Sequence, residues 1–236
     1  MNGTVYIIAT PIGNLGDITL RAVELLKHVD CVVSEDTRRS KKLLDHFSIT
    51  TPLISYHDHS PEQKRKAIIG RLKKGESVAL ISDAGTPLVS DPGYKLIRAC
   101  IDEEITVTAV PGPSSVVNAL AVSGLPPDAF QFLGYLSPKS GKKKKELEMI
   151  AQSVITTIVF ESCHRIRATM QLLSAIMPDR RIAVCREMTK LYEEIVRGTA
   201  LDVQEHFLSS EPRGEFVVVI EGLGRGKRRD RGVYDE

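Results

Sequence analysis

Val78-Ala79-Leu80-Ile81-Ser82-Asp83-Ala84-Gly85-Thr86-Pro87-Leu88-Val89-Ser90-Asp91-Pro92-Gly93 joins four consecutive apolar residues to a dozen built largely from turn formers. An uninterrupted apolar run this short reads as a strand buried on both faces, the habit of parallel sheets. The loop behind it is longer than a plain strand-to-helix connection needs, and long ordered loops at that place tend to carry function.

The same grammar extends in both directions. Strands are expected at Val5–Ala9, Cys31–Ser34, Leu53–Ser55 and Thr106–Val110, and helices at Leu20–His28, Ser40–Phe47, Pro61–Lys73, Tyr94–Asp102 and Ser115–Ser123. Such alternation specifies a mainly parallel α/β sheet. Ser60-Pro61-Glu62-Gln63 offers an N-cap hydroxyl, a proline at the first helical position and a capping-box glutamine. Gly124-Leu125-Pro126-Pro127-Asp128 then breaks the pattern, since two prolines cannot continue a helix. We therefore expect a first α/β domain over 1–123, a linker over 124–129 and a second α/β domain over 130–223. The second contains strands near Gln131–Gly134, Thr156–Phe160, Ile182–Cys185 and Phe216–Ile220, and helices near Glu146–Gln152, Arg165–Ile176 and Asp202–Leu208. Residues 224–236 read as a basic tail.

Composition narrows the function classes. The chain has 236 residues, 42% hydrophobic and 26% charged, with net charge +2. No apolar run approaches the roughly 20 residues of a membrane span, and the opening residues lack a secretory signal, so a cytoplasmic protein is expected. Cys31, Cys100, Cys163 and Cys185 stand far apart in apolar contexts and read as packing residues rather than disulfides or zinc ligands. His57-Asp58-His59 lacks an evident third ligand, and no metal is expected. Basic charge gathers at Lys139 and Lys142 to Lys145, read as a lysine loop, and again at Arg225, Lys227, Arg228, Arg229 and Arg231. Either can meet phosphate or simply be solvated.

Four segments carry candidate chemistry, each at the end of an expected strand, where ligands of α/β sheets bind. Ala9-Thr10-Pro11-Ile12-Gly13-Asn14 is a tight turn but not a dinucleotide fingerprint, and it has no Walker lysine. Ser34-Glu35-Asp36-Thr37-Arg38-Arg39 brings a carboxylate that can deprotonate a hydroxyl, or else Asp36 simply caps a helix. The loop Ser82 to Gly93 is the third. Val110-Pro111-Gly112-Pro113-Ser114-Ser115 presents hydroxyls and helix N–H groups to a ligand, or is a plain cap.

Together with Arg186-Glu187-Met188-Thr189-Lys190, these segments resemble the tetrapyrrole methylase superfamily, and more narrowly its ribosomal RNA small-subunit methyltransferase I family, from about residue 4 to 223. The resemblance implies two α/β domains with S-adenosyl-L-methionine in the cleft between them, usually within a homodimer. It implies cofactor contacts from Pro11, Gly13, Thr86, Leu88, Val89, Ser114 and Ser115, and from Phe160, Met188 and Thr189. Thr86 stands where tetrapyrrole-acting members carry aspartate. The reaction implied is methyl transfer to the 2′-oxygen of a cytidine in small-subunit ribosomal RNA, in naked RNA or the assembled subunit. Asp36 or Asp83 is the expected base and Arg38 an anchor for phosphate or carboxylate. Lys139, Lys142, Lys143, Lys144 and Lys145 are the expected RNA contacts. The rival readings are a tetrapyrrole C-methyltransferase and an inactive RNA-binding assembly factor.

Overall fold

The short apolar runs of the first half become strands, each followed by a helix, because parallel strands need a crossover rather than a hairpin between them. The computed structural model describes residues 2–208 and 212–224, which divide into two compact units at Ser114/Ser115. The first unit contains β1 (Thr4–Ile8), α1 (Leu20–His28), β2 (Cys31–Ser34), α2 (Thr37–His46), β3 (Leu53–Ser55), α3 (Glu62–Lys73), β4 (Val78–Ile81), α4 (Tyr94–Asp102) and β5 (Thr106–Val110). Its sheet runs β3-β2-β4-β1-β5, with every pair parallel.

Period-two alternation sorts the strand residues between two cores. Val78 and Leu80 pack with Ile68 and Leu72 of α3 and Leu96 and Cys100 of α4. Ala79 and Ile81 pack with Ala22 and Leu26 of α1 and Leu44 of α2 on the other face. Both β2 and β4 are buried throughout, which is why neither shows polar alternation in sequence. Thr19 caps α1 by accepting the Ala22 N–H, and Asp36 caps α2 by accepting the Arg38 N–H. Ser60 does not cap α3: its hydroxyl accepts the His57 N–H at 2.9 Å, closing the preceding turn, and the helix starts at Glu62.

The second unit contains α5 (Ser115–Ser123), β6 (Phe130–Tyr135), α6 (Ser140–Ala151), β7 (Thr156–Ser162), α7 (Ile166–Ile176), β8 (Arg181–Arg186), β9 (Glu194–Thr199), α8 (Ala200–Leu208) and β10 (Glu215–Ile220). Its mixed sheet runs β6-β7-β10-β8-β9, parallel only at β6–β7. One face is covered by α6, α7 and α8 through Leu147, Met170, Leu173, Val203 and Phe207. The α5 helix packs on β8 and β10, so it falls with the second unit although the proline break lies after it. Local turn chemistry marks where a helix stops, whereas the partner of its apolar face decides which core it joins.

Two features depart from the sequence reading. The strand β9, Glu194-Ile195-Val196-Arg197-Gly198-Thr199, is a polar edge strand with a glycine and gives no clean alternation. The lysine loop is instead the first turns of α6, because lysine is a good helix former and Lys142 and Lys144 sit four residues before Glu146 and Glu148. Cys31, Cys100 and Cys185 are buried and Cys163 is half-buried; burial pushes the Cys100 and Cys185 thiols up to about 11. Among the described residues no helix is long and apolar enough to cross a membrane.

Lys143, expected to meet RNA, points into the core instead. Its Nζ donates to Glu161 Oε2 at 3.0 Å and to Thr169 Oγ1 at 2.9 Å, and the Glu161 side chain is fully buried. The Thr169 hydroxyl donates to the same carboxylate oxygen at 2.6 Å, and Arg165 Nε meets Oε1 at 2.8 Å. Removing one partner of such a pair leaves a charge without compensation, whereas replacing both is far milder. Lys143→Met is expected to cost about 3 kcal/mol or more in denaturant unfolding, and Lys143→Met/Glu161→Leu to recover at least half of it. Equal losses in the single and double variants would contradict this account.

Candidate functional site

All five strands of the first unit end on one edge, so their following loops are neighbours. The chain leaves β2 toward β3 and leaves β4 in the opposite sense toward β5, which makes the β2–β4 pair a switch point, the usual position of ligands in open α/β sheets. Three of the loops singled out in the sequence are knitted together there. Thr10 and Gly85 exchange backbone hydrogen bonds of 2.9 Å in both directions, and Thr10 Oγ1 donates to the Ser82 carbonyl at 3.1 Å. Thr86 Oγ1 donates to the Pro113 carbonyl at 3.2 Å. Gly112 lies so close to Ala9 that an added Cβ would stand 3.0 Å from the Ala9 Cβ. Pro11 is buried and Gly13 exposed on the first loop, while Ser114 and Ser115 are half-buried where β5 passes to α5. Leu88 and Ser90 hold φ of 75° and 65°, a left-handed conformation that side chains disfavour and that clusters at functional sites.

The carboxylates of this edge differ sharply. Asp36 Oδ1 accepts from the Arg38 N–H at 2.9 Å and from Arg38 Nε at 3.1 Å, and Oδ2 accepts from Nη2 at 2.9 Å. These bonds hold its carboxyl at about 2, so Asp36 is a poor proton acceptor and Arg38 is already engaged. Asp83 Oδ2 meets the exposed Arg39 guanidinium at 3.4 Å, while Oδ1 is buried and has no hydrogen-bond partner among the described residues. Asp91 was not singled out in the sequence, because one more aspartate in a turn-rich loop looks like turn chemistry. Burial, with Glu35 and Asp83 nearby, pushes its carboxyl up to about 6. Asp58, from the His57–His59 segment, accepts the Gly93 N–H at 3.1 Å and ties the end of the loop.

The second unit has its own edge, where β7 and β8 end and β10 begins. Glu187 and Thr189 hold φ of 49° and 66°. Lys190 Nζ clamps the segment, meeting Glu187 Oε1 at 2.8 Å and Glu215 Oε2 at 2.9 Å. The Thr189 N–H donates to the Glu193 carboxylate. Gly214 makes room for Glu187, whose side chain an added Cβ would meet at 2.4 Å. Met188 is buried, and Thr189 Oγ1 is buried without a partner. Phe160 packs edge-on against Phe132 and Tyr135, with ring centroids 4.7 and 5.4 Å apart. Of the expected RNA contacts, Lys142 and Lys144 pair along α6 at 3.8 and 3.9 Å, Lys139 and Lys145 are exposed, and the basic residues beyond Gly224 lie outside the described residues.

A parallel sheet with strained strand-end loops, followed along the chain by a mixed sheet, is a specific combination, and comparison with known proteins agrees. Residues 4–204 match the profile of the Tetrapyrrole (Corrin/Porphyrin) Methylases. The chain belongs to the tetrapyrrole methylase family. Within it, the chain falls with proteins named ribosomal RNA small subunit methyltransferase I. That of Halalkalibacterium halodurans is 44% identical over 222 residues, 94% of this chain and 77% of the relative. That of Thermotoga maritima is 41% identical over 220 residues, 93% of this chain and 99% of the relative. Two solved structures share the fold at 20% identity. Cobalt precorrin-4 methyltransferase has a TM-score of 0.68, covering 92% of this chain and 94% of its own. Uroporphyrin-III C-methyltransferase from Thermus thermophilus, solved with S-adenyl homocysteine, has a TM-score of 0.63, covering 93% and 97%.

The Asp91 environment sets a test of the first edge. The folded chain holds this proton more tightly than the unfolded chain, whose aspartate titrates near 3.8. Stability is therefore lost as pH rises from about 4 to about 6. Asp91→Asn is expected to be more stable than the parent at pH 8 by about 1–2 kcal/mol, allowing for partial solvent screening, with the gain absent at pH 3.5. Denaturation across that range measures it, and a variant weaker than the parent at pH 8 would count against the carboxylate cluster.

Proposed function

We propose that this chain methylates small-subunit ribosomal RNA, using S-adenosyl-L-methionine, and that the acceptor is the 2′-oxygen of a cytidine. The observation that carries the reading is the match to proteins of that name over more than nine-tenths of the chain. The residues present suit such a cofactor. The first edge offers apolar Pro11, Ile12, Leu88 and Val89 beside an unpartnered carboxylate oxygen of Asp83. The second offers buried Met188 and the unpartnered Thr189 hydroxyl. We assign Pro11, Gly13, Thr86, Leu88, Val89, Ser114 and Ser115, with Phe160, Met188 and Thr189, as residues that hold it. Thr86 acts through the Pro113 carbonyl, keeping two loops in register.

When bound, S-adenosyl-L-methionine supplies a methyl group made electrophilic by a positive sulfur. The protein's part is to orient the acceptor hydroxyl and remove its proton. Asp36 is occupied by Arg38 and by its cap, so we assign the proton acceptor to Asp83, whose Oδ1 has no hydrogen-bond partner among the described residues. Asp91 stands in the same loop, its own carboxyl raised by burial and by the charges of Glu35 and Asp83. The assembly proposed with this activity is a homodimer, to which the unpaired edge of β5 is available.

The test is incubation of purified protein with tritiated methyl S-adenosyl-L-methionine and unmodified small ribosomal subunits, followed by nucleoside analysis. Label is expected in 2′-O-methylcytidine, and Asp83→Asn is expected to lower kcat by about 100-fold or more. Label in a base or in another nucleoside would overturn the acceptor. Cofactor binding without RNA label would favour a tetrapyrrole methylase or an inactive assembly factor, and an unchanged Asp83→Asn rate would exclude Asp83 as the base.

A further inference from the structure

The first turns of α2 read Thr37-Arg38-Arg39-Ser40-Lys41-Lys42, four basic residues in five positions with no acid among them. A helix N-terminus carries partial positive charge, so basic side chains there oppose the macrodipole. Their placement opposes the helix, and the Asp36 cap offsets only part of the charge. Ser40, Leu43 and Leu44 form the buried face, and at 100° per residue Arg38, Arg39, Lys42 and His46 then share one flank of the opposite side. Lys41 lies on the other flank, where Asp45 meets it at 2.8 Å. The charges of the shared flank are incompletely compensated. The Arg38 side chain is 89% exposed beyond its pair with Asp36, and Arg39 is 68% exposed with only a 3.4 Å contact to Asp83. Lys42 is exposed and has no ion pair among the described residues. Arg38 and Lys42 stand one turn apart, about 6 Å along the axis, so Lys42 can meet one phosphate while the face of Arg38 turned away from Asp36 meets the next.

The lysines at the start of α6 are divided: Lys143 is buried on Glu161, Lys142 and Lys144 have a glutamate at 3.8 and 3.9 Å, and Lys139 and Lys145 are exposed with no ion pair among the described residues. What sets the α2 flank apart is its position, because the contact of Arg39 with Asp83 places it against the strand-end edge that bears the assigned base. We infer that the Arg38–Arg39–Lys42 flank of α2, rather than the lysine stretch of α6, is the surface that tracks the RNA backbone. The inference rests on the reading of RNA as substrate and deepens it. The flank meets phosphate and reads no sequence, so it governs affinity and registration rather than the choice of nucleotide.

The experiment is binding of small-subunit ribosomal RNA by the full-length chain at a series of KCl concentrations, with subunit methylation measured alongside. Lys42→Gln and Arg39→Gln are each expected to reduce the slope of log K against log salt by about 0.7–0.9. Lys144→Gln on α6 is expected to leave the slope unchanged. Lys42→Gln should raise KM for the subunit severalfold at unchanged kcat, because Lys42 is remote from the proton transfer. Parent-like slopes for both α2 variants, or a slope reduced only by the α6 variant, overturn the surface while leaving the RNA reading intact. A parent protein without RNA affinity or RNA methylation at any salt overturns both. Lys42 is exposed on a helix, so the thermal transition of Lys42→Gln should match the parent and separate binding from folding.

Discussion

The paired hydrogen bonds between Thr10 and Gly85, 2.9 Å in each direction, hold the first edge together. β1 and β4 are adjacent and parallel, so their loops emerge side by side, but nothing in parallel pairing requires those loops to adhere. The bridge is an isolated antiparallel pair beyond the parallel ladder, and the Thr10 hydroxyl adds a bond to the Ser82 carbonyl. Once these loops are joined, the segment from Thr86 to Ser90 has a fixed base from which strained Leu88 and Ser90 can be held. Thr86 extends the weave to the loop after β5. A threonine at this position thereby links two loops through its hydroxyl, where an aspartate would bring another negative charge beside Asp83 and Asp91.

The carboxylates of that edge illustrate how environment divides identical side chains into different roles. Asp36 is saturated by Arg38 and by the helix it caps, so it is structural and strongly acidic. Asp83 keeps one oxygen without a partner. Asp91 is half-buried with two acidic neighbours and holds its proton more tightly than an ordinary aspartate. Carboxylates gathered in this way are costly to the folded chain, because each disfavours the charge of the others.

The second unit works differently. Its mixed sheet allows β7 and β8 to end on one edge while β10 begins there, and the Glu187–Lys190–Glu215 ion set secures the unusual backbone at Glu187 and Thr189. Beneath the helix-covered face, Glu161 collects Lys143, Thr169 and Arg165, linking β7 to α6 and α7. Buried charge of this sort adds little net stability compared with apolar packing, but it permits few alternative arrangements of the turn that follows β7.

Much of the fold was legible in the amino-acid order. Short apolar runs alternating with helical periodicity imply crossover connections, and α1, β2, β3, α4, β5 and α5 fall where those patterns place them. The strand-end loops were legible too, since clusters of glycine, proline and small hydroxyl residues after a strand have few purely structural uses. By itself the sequence determined the parallel first sheet, the positions of its strand-end loops and the family to which the chain belongs. Only the tertiary structure decided that α5 joins the second core, that Lys143 is buried and that Asp91 differs from Asp36. Each of these depends on groups distant along the chain, such as Glu161 for Lys143 and Glu35 for Asp91, and burial and proton affinity are set by the surroundings a side chain meets after folding rather than by its neighbours in sequence.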